Sequence, residues 1–339
     1  MIQRINIEDY LLQHALLPII DVRTPAEYEC GHIPGAFNVP LFSNEERAHV
    51  GTVYKQQSQE QALNLGYKYV TPKLEEYVLA SEEVAKSGEV VVYCWRGGMR
   101  SKAFAEHIHE NGFQKVFVIE DGYKGYRRYA LDSFDRASKI HVLGGYTGSG
   151  KTRILEQMNR AGHQVLDLEG LANHKGSAFG GIGQEAQPTT EHFANLLFWK
   201  WKALDLSKPV WVEDESSNIG RVNIPENFFA QLRNSKVWFL KIPKEKRAKI
   251  LVEEYASCDR ESLAGAIQRI SKKLGGLRTA EALNYLEEDN YYETALITLD
   301  YYDKFYLKGL DRRDKSKVLV VESESIDEAE NAELIISSS

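Results

Sequence analysis

Two glycine-rich loops, each directly after an apolar, β-branched segment, constrain the fold of this chain more than any other feature. The first loop is Cys-Trp-Arg-Gly-Gly-Met-Arg over 94–100, after the segment 89–93. The second is Gly-Tyr-Thr-Gly-Ser-Gly-Lys-Thr over 145–152, after the segment 140–143. Loops that join a strand to a helix hold ligands at the carboxyl ends of parallel strands. The pattern therefore predicts an α/β protein with two ligand-binding loops.

Strands and helices alternate along the chain, and its 339 residues suit about two domains. We expect a first parallel sheet, with helices on both faces, over residues 1–132. A second α/β domain of the phosphate-loop type is expected over 137–322, with a helical C-terminal part over 243–310 and an acidic tail over 323–339. The expected strands are 18–22, 37–40, 89–93 and 115–119 in the first domain and 140–143, 164–167, 209–213, 236–240 and 318–321 in the second.

The composition is that of a globular protein, with 43% hydrophobic and 27% charged residues. The chain contains no run of about 18 apolar residues, so no membrane span is predicted. The first residues lack the apolar core of a signal peptide. Cys30, Cys94 and Cys258 are odd in number and far apart, which fits neither a disulfide framework nor a zinc site. We expect a reducing, cytoplasmic location. In a reducing compartment, Cys94 is the candidate catalytic residue. We expect Cys30 and Cys258 to be passive, with the alternative that Cys30 resolves an adduct on Cys94.

Charge is distributed unevenly along the chain. The net charge is −7, and residues 322–339 hold six acidic side chains and no lysine or arginine. Four basic clusters stand out in the rest of the chain. They are Lys124/Arg127/Arg128, Lys244/Lys246/Arg247/Lys249, Lys272/Lys273/Arg278 and Arg312/Arg313/Lys315/Lys317. The clusters are either solvated helix faces or a footprint for a phosphate backbone.

The cysteine loop has the features of an anion site. Its members after Cys94 are Trp95, Arg96, Gly97, Gly98, Met99 and Arg100. The glycines let the backbone turn so that successive N–H groups face inward and stabilise an anion. The N-terminus of the next helix, for which Ser101 is the expected cap, adds partial positive charge, and the two arginines add full charges. We expect Cys94 to hold a thiolate or a persulfide.

The second loop matches the phosphate-loop motif in its required context, after a strand and before a helix. The predicted diphosphate-binding residues are Gly145, Thr147, Gly148, Ser149, Gly150, Lys151 and Thr152. Backbone N–H groups would cradle the diphosphate, Lys151 would neutralise it, and the Thr152 hydroxyl is the candidate ligand for Mg²⁺. Glu213 and Asp214 either end an acidic strand aimed at that metal or lie at a solvated strand end. The motif recognises any diphosphate ester and does not by itself indicate ATP hydrolysis.

The first half of the chain resembles the rhodanese family. The segments 20–28 and 31–36 are similar to the N-terminal signature of that family, and 120–126 to its C-terminal glycine turn. The resemblance spans residues 5–130. It implies a rhodanese-like sheet, a persulfide-like sulfur or selenium adduct on Cys94, and a supporting role for Asp21 and Arg23 in the signature.

One departure from the rhodanese pattern is informative. The spacing from Cys94 to Arg100 is one residue longer than in ordinary sulfur-carrying rhodaneses and matches related cysteine phosphatases. The chain is then either a phosphatase or a protein whose loop admits a phosphate-bearing donor such as selenophosphate. Tyr93 stands where those phosphatases usually place histidine, which weakens the first reading.

The order of the two domains resembles the bacterial tRNA 2-selenouridine synthase family over about residues 5–310. Further matching segments are 171–180, 187–189, 213–216, 219–220, 301–303 and Tyr306. The resemblance implies a tRNA-modifying transferase that geranylates a wobble 2-thiouridine with geranyl diphosphate and then exchanges the S-geranyl group for selenium from selenophosphate. It implies tRNA as a partner, and it admits a selenophosphate-supplying enzyme as another. Lys151 would bind the diphosphate, and Cys94 would receive or deliver selenium.

Other readings remain open from the residues alone. An ATP-dependent rhodanese-type sulfurtransferase, or a nucleotide-controlled persulfide carrier, would also use both loops. The apolar segment 193–201 is either helical core or the slot for a geranyl chain. His174, next to Gly176 and Ser177, lies either in a substrate loop or in a plain surface loop.

Overall fold

The computed structural model describes residues 1–339, apart from the side chain of Tyr255. The chain divides into two compact units. The first comprises Met1–Ser133 and Ala194–Phe198, and the second comprises Phe134–Phe193 and Trp199–Ser339. Each unit is described by itself below.

The first unit contains five strands and seven helices. Its strands are β1 (Ile2–Ile5), β2 (Ile19–Asp21), β3 (Ala36–Asn38), β4 (Glu89–Tyr93) and β5 (Lys115–Ile119). Its helices are α1 (Ile7–Asp9), α2 (Pro25–Cys30), α3 (Asn44–Gln56), α4 (Gln59–Val70), α5 (Leu74–Val84), α6 (Met99–Glu110) and α7 (Gly122–Asp132). A π-helical turn at Tyr10–His14 follows α1, and short 3-10 turns lie at Thr71–Lys73 and Ser133–Asp135.

The five strands form one parallel sheet in the order β1-β5-β4-β2-β3. Ile20, Val90 and Val92 of the central strands are fully buried, as expected for a sheet with helices on both faces. The predicted strands 18–22, 37–40, 89–93 and 115–119 are confirmed. The edge strand β1 was not predicted, because three of its four residues are exposed and its partner lies far along the chain.

Two helices that lead into the sheet begin with capping boxes. The Thr24 side chain accepts the Glu27 N–H, and the Glu27 carboxylate accepts the Thr24 N–H. Ser43 and Glu46 do the same at the start of α3. Such reciprocal bonds satisfy N–H groups that a helix leaves without acceptors. The Thr-Pro-Ala-Glu run of the rhodanese signature is therefore a helix start that needs no partner from elsewhere.

The second unit contains seven strands and most of the remaining helices. Its strands are β6 (Lys139–Gly145), β7 (Gln164–Leu166), β8 (Pro209–Glu213), β9 (Asn218–Ile219), β10 (Val222–Asn223), β11 (Lys236–Lys241) and β12 (Val318–Glu322). The helices are α8 (Lys151–Arg160), α9 (Leu168–Ala172), α10 (Thr190–Trp201), whose residues 194–198 belong to the first unit, α11 (Glu226–Asn234), α12 (Lys244–Tyr255), α13 (Arg260–Leu274), α14 (Gly276–Glu287), α15 (Tyr291–Leu310) and α16 (Glu328–Ser337). A 3-10 turn lies at Lys315–Lys317.

The main sheet of the second unit is parallel, in the order β12-β11-β6-β8-β7, and β9 and β10 form a separate antiparallel pair. All five predicted strands of this sheet are confirmed. The connections from β6 and β8 leave toward opposite edges of the sheet, which makes their carboxyl ends a topological switch point. The phosphate loop follows β6 at that point.

The predicted helical part is confirmed as helices α12 to α15. Leu263, Ile267, Leu286 and Leu299 belong to one buried cluster of this region. Spacings of three and four residues place such side chains on the inner faces of their helices. The helices thus form a body beside the sheet.

The apolar segment 193–201 is core. It lies in α10, where Phe193, Leu197, Phe198 and Trp201 are each at most 1% exposed. No room is left along these side chains for an added hydrocarbon ligand. Of the two readings, helical core is the one that the structure supports, and a geranyl slot is not found there.

The segment 323–339 differs from the expected acidic tail. It contains α16, whose Ala332 and Ile335 are buried in one cluster with Ile154 and Met158 of α8. The apolar side chains at helical spacing bury one face, and the acidic side chains occupy the other. The acids are thus the outer face of a docked helix. Across the part of the chain that the structure describes, no helix has the length and apolar character needed to cross a membrane.

We predict that α16 stabilises the second unit through Ile335. An Ile335→Ala substitution should lower the free energy of unfolding by about 2–5 kcal/mol, because it removes buried volume from the contact with α8. The neighbouring Leu334 is 38% exposed, and Leu334→Ala should change the free energy of unfolding by about 0.5 kcal/mol or less. Urea denaturation measures both, and equal effects of the two substitutions would contradict a docked helix.

Candidate active site

Cys94 lies at the carboxyl end of β4, the central strand of the first sheet. Only 3% of its surface is exposed. Its Sγ lies 3.2 Å from the Ser101 hydroxyl, which is also 3.2 Å from the Gly98 carbonyl oxygen. The hydroxyl hydrogen can therefore turn from the carbonyl to a sulfur anion. The expectation that Ser101 caps the helix is wrong, because α6 begins at Met99 and Ser101 faces the cysteine.

The glycine turn before α7 holds the cysteine loop from behind. The Tyr123 N–H donates to the Cys94 carbonyl at 2.8 Å, and the Lys124 N–H donates to the Trp95 carbonyl at 2.9 Å. Gly97 and Gly122 have φ of 59° and 54°, and a Cβ on Gly122 would overlap the Cys94 carbonyl oxygen. Both positions therefore require glycine. This contact explains why the first unit needs its C-terminal glycine turn.

Asp21 and Arg23 form a fully buried ion pair that supports the same turn. Arg23 Nη2 lies 2.6 Å from Asp21 Oδ2 and donates to the Gly31 carbonyl at 2.7 Å. Its guanidinium carbon lies 3.8 Å from the centre of the Tyr123 ring. Burial acts to lower the pKa of Arg23, but the hydrogen bonds and charge of Asp21 outweigh it, and the pKa lies above its ordinary value. The pair positions Tyr123, and Tyr123 holds the cysteine loop.

The two loop arginines have different surroundings. Arg100 Nη1 pairs with Glu27 Oε2 at 2.8 Å. Burial acts to raise the pKa of Glu27, but the hydrogen bond and charge of Arg100 bring it below the ordinary value. Arg100 thus ties the loop to α2, which differs from the expectation that both arginine charges serve an anion at Cys94. Arg96 is exposed and forms no ion pair with a described residue, and Met99 is 56% exposed.

Asn195, which the sequence analysis missed, connects the polar groups near this turn. It is fully buried, and its Nδ2 donates to the Tyr123 hydroxyl and to the His32 carbonyl, each at 2.8 Å. Its Oδ1 accepts from Arg127 at 2.7 Å. Nothing in the local sequence of α10 distinguishes this asparagine from a solvent-facing one. It fixes the phenol end of the side chain whose backbone holds Cys94.

The phosphate loop 145–152 joins β6 to α8. α8 begins at Lys151, so the N–H groups of its first turn have no acceptor within the helix and face the loop. The Lys151 ammonium donates to the Gly145 carbonyl at 3.1 Å. The buried Ser149 hydroxyl has no partner among the described residues. Positive charge and N–H donors therefore converge where the sequence predicted a diphosphate.

An acidic cluster lies against this loop. The Thr152 hydroxyl donates to Glu169 Oε2 at 2.8 Å, and Glu213 Oε1 accepts the Glu169 N–H at 2.7 Å. Glu213 is 1% exposed, and its second oxygen has no partner in the described part of the chain. Glu213 thus lies beside the phosphate loop and not at a solvated strand end. Glu215 belongs to the acidic segment 213–216 noted in the sequence, whereas Glu169 was missed, because it follows no recognised spacing from the loop.

Crowding and burial make these carboxylates hard to ionise. Burial raises the pKa of Glu213 well above its ordinary value, and the charges of Asp167 and Glu169 add to the effect. Burial and Glu169 do the same for Glu215, and burial raises the pKa of Glu169. Such a cluster gains from a nearby cation and serves as a proton store.

Asp214, next to the acidic cluster, takes part in a second polar network. It forms an ion pair with the buried Arg313 and accepts a hydrogen bond of 2.7 Å from the Tyr306 hydroxyl. That hydroxyl also accepts the Gly145 N–H at 3.2 Å. The expected role of Asp214 near a metal at Thr152 stays a prediction, and the partners that the structure shows are Arg313 and Tyr306. Asp214 positions the start of the phosphate loop through Tyr306.

A second ion pair, between a buried arginine and a half-buried aspartate, also holds the first half of the phosphate loop. Arg247 is 2% exposed, and its Nη2 lies 2.7 Å from Asp303 Oδ2. Its Nη1 donates to the Thr147 carbonyl at 2.9 Å, and its guanidinium lies 4.9 Å from the Tyr146 ring centre. Arg247, noted in the sequence as part of a basic cluster, is thus a support for the loop. The late motif 301–306 supplies Asp303 and Tyr306 to it.

A cavity of about 1130 Å³ in the second unit holds the phosphate loop. Its lining combines Lys151, Thr152 and Glu215 with apolar and aromatic side chains. The apolar lining includes Phe179, Ile182, Leu251, Leu263 and Phe305. The segment 175–180 lines the same cavity, so it is more than a plain surface loop. His174 has an unpartnered buried Nδ1 among the described residues, and burial lowers its pKa.

These features define a class of protein, a rhodanese-like domain joined to an AAA-type phosphate-loop domain. Sequence profiles agree, because the rhodanese-like domain matches residues 5–129 and the tRNA 2-selenouridine synthase AAA domain matches residues 138–334. The tRNA 2-selenouridine synthase of Nitrosomonas europaea is 36% identical, covering 87% of this chain and 90% of that protein. Those of Hydrogenovibrio crunogenus and Bdellovibrio bacteriovorus are 35% and 34% identical, covering 86% and 88% of this chain and 88% and 90% of theirs.

The chain belongs to the tRNA 2-selenouridine synthase family. It is an enzyme, a selenotransferase of tRNA modification. The predicted family, fold class and enzyme class are thereby confirmed.

We predict that the Asp21–Arg23 pair is a main stabilising contact of the first unit. Arg23→Leu should lower its free energy of unfolding by about 3–5 kcal/mol, because Asp21 would remain buried without its partner. The exposed pair of Arg4 and Glu120 provides a control, and Arg4→Leu should cost about 1 kcal/mol or less. Guanidinium denaturation followed by near-ultraviolet circular dichroism measures both. Equal costs would refute the prediction.

Glu213 should make stability depend on pH. Its folded-state pKa is raised above the unfolded value of about 4.3, so its favourable contribution is fully present below about pH 4.3 and is lost as the pH rises through the folded value. The Glu213→Gln variant lacks this titration. The difference between the unfolding free energy of the variant and that of the native chain should therefore shift in favour of the variant from pH 4 to pH 8. Urea denaturation across this range tests it. The exposed Glu245→Gln control should show a flat difference, and a flat difference for both would contradict the assignment.

Proposed function

We propose that this chain converts wobble 2-thiouridine of tRNA to 2-selenouridine through an S-geranyl intermediate, with geranyl diphosphate and selenophosphate as co-substrates. One observation carries the proposal. The cavity around Lys151 combines a phosphate loop with an apolar wall, and a prenyl diphosphate requires both in one site. We propose Gly145, Thr147–Thr152 and the α8 N-terminus as the seat of the diphosphate.

The first step activates the thiocarbonyl. The 2-thiouridine sulfur attacks C1 of geranyl diphosphate, the C1–O bond breaks, and diphosphate leaves with the electron pair. Lys151 and the N–H groups at the start of α8 stabilise the charge that develops on this leaving group. The N3 proton of the base is lost, and Glu215 or Glu169, each with a raised pKa, is a suitable acceptor.

The residues fit a magnesium ion bound together with the diphosphate. Thr152 and the unpartnered oxygen of Glu213 would hold it, and the diphosphate would supply further oxygens, as Mg²⁺ prefers. Within the described part of the chain, no three His, Cys, Asp or Glu side chains are arranged to hold a metal unaided. When bound, the ion neutralises charge on the leaving diphosphate.

The second step delivers selenium. The seven-residue loop of Cys94 suits a tetrahedral, phosphate-bearing donor. Attack of the Cys94 thiolate on the phosphorus of selenophosphate breaks the P–Se bond and releases HSe⁻, and water then returns the cysteine and frees phosphate. HSe⁻ attacks C2 of the S-geranyl base, the C2–S bond breaks, and geranyl thiolate leaves. Every step is redox-neutral, and Ser101 is placed to stabilise the thiolate.

We assign the first step to the phosphate-loop domain, residues 137–322, and selenium delivery to the rhodanese-like domain, residues 1–132. A selenophosphate-supplying enzyme is the expected partner for donor transfer. Because tRNA modification takes place where tRNA is handled, we place the reaction in the cytoplasm.

Mass spectrometry of nucleosides tests the proposal. 2-Thiouridine tRNA is incubated with the protein, geranyl diphosphate and selenophosphate, each donor omitted in turn. Lys151→Ala should slow geranylation about 100-fold or more, because it removes a donor to the leaving group. Cys94→Ser should slow selenation on the order of 10³-fold while geranylation continues.

Matched controls are Lys236→Ala and Cys30→Ser, whose side chains are exposed and lie outside both loops. Loss of the same step in both test variants would overturn the division of labour. No product with any donor mixture, together with ATP turnover, would favour the sulfurtransferase reading instead.

A further inference from the structure

A second cavity, of about 290 Å³, lies in the helical part of the second unit. Residues near the C-terminal end of α13, on α14 and on the second half of α15 form it. Its lining includes Lys273, Arg278, Tyr301, Lys304, Phe305 and Lys308, and these six residues are called the basic-aromatic pocket below. The diphosphate chemistry proposed above does not require it.

The charge of this pocket is predominantly positive. Lys273, Lys304 and Lys308 are exposed, and none of them pairs with a carboxylate in the described part of the chain. The acid in the lining is Asp300, which already engages Lys244 and Arg278 at 2.7 Å each. Three ammonium groups without counter-charges are therefore gathered around one concave surface, which favours a polyanion.

The same pocket presents aromatic faces. Phe305 is 57% exposed, although burial of such a ring would be favourable. The Tyr301 ring is nearly parallel to it, with centres 6.4 Å apart, and Lys273 Nζ lies 5.1 Å from the Phe305 centre. An exposed ring among unpaired lysines is the arrangement that binds unpaired nucleotides, because the base stacks on the ring and the phosphates contact the lysines.

The basic-aromatic pocket adjoins the cavity of the phosphate loop. Tyr301, Phe305 and Lys308 line both cavities. On the same helix, Tyr306 bonds to the Gly145 N–H at the start of that loop. A strand of RNA seated on the outer pocket would therefore direct its next nucleotides toward Lys151.

We propose that the basic-aromatic pocket binds an unpaired nucleotide of the tRNA substrate beside the modified base, with the base on Phe305 and the phosphates on Lys273 and Lys304. The proposal rests on the proposed function in that tRNA is the substrate. It adds the place where RNA is held and the residues that hold it.

The charge contribution is tested by fluorescence anisotropy with a labelled anticodon stem-loop and the full chain. The double variant Lys273→Gln/Lys304→Gln should bind at least about 5-fold more weakly. Its plot of log affinity against log salt should be shallower by about 1.4, since each of the two lost phosphate contacts contributes about 0.7. Lys55→Gln/Lys68→Gln removes the same charge from exposed positions of the first unit. This control should bind like the native chain.

The stacking contribution is tested on one helix. Phe305→Ala should weaken binding about 5- to 100-fold with little change in salt dependence, and Phe305→Trp should retain it. Leu307→Ala is the matched control, because Leu307 is 43% exposed on α15 but lies outside both cavities. Thermal melting should be unchanged in all of these variants, since the altered side chains are exposed.

Kinetics separate this inference from the proposed function. The double lysine variant should raise KM for tRNA and leave kcat and the KM for geranyl diphosphate unchanged. If the native chain modifies tRNA but these variants bind RNA normally, the pocket is a solvated helix face and the inference is overturned. If binding depends on the pocket but no geranylated or selenated nucleoside forms, the inference stands and the proposed chemistry fails. Absence of any RNA binding by the native chain would overturn the inference.

Discussion

A guanidinium–carboxylate pair with a buried arginine stands behind each of the two loops, and the arrangement of both sites depends on these pairs. Arg23 with Asp21 holds the turn that clamps Cys94, and Arg247 with Asp303 holds the carbonyl of Thr147. Each pair makes two or more hydrogen bonds in a fixed plane, so it sets direction as well as distance. Removing one member would leave a charge in a poorly solvating interior, which is why such pairs act as rigid supports.

The two loops differ in how their chemistry is prepared. The Cys94 loop combines a helix start with one hydroxyl close to the sulfur, while Arg100 is occupied by Glu27. At Lys151 the protein instead gathers carboxylates whose burial makes ionisation costly. A bound cation or an added proton relieves that cost. Local instability of this kind is common where binding energy is to be used for chemistry.

Much of the fold could be read from short patterns. Runs of β-branched residues predicted nine of the strands, and the helical part over 243–310 was confirmed. The edge strand β1 was missed, because its exposed side chains resemble a loop and only its pairing with β5 makes it a strand. The segment expected as a tail became α16, since its few apolar residues matter only once α8 offers them a surface. The roles of Ser101, Asn195 and Glu169 likewise had no local signal.

The sequence by itself determined the two loops, their strand–loop–helix settings and the family to which the chain belongs, because each of these is encoded by neighbouring residues. Tertiary structure decided which side chains meet there. Glu27 reaches Arg100 across 73 positions, and Tyr306 reaches Gly145 across 161. It also brought Asp214 to Tyr306 and placed an aromatic, basic helix face beside the phosphate-loop cavity. These long-range contacts follow from the order of strands in a sheet and from the docking of helices on it, which no local spacing specifies.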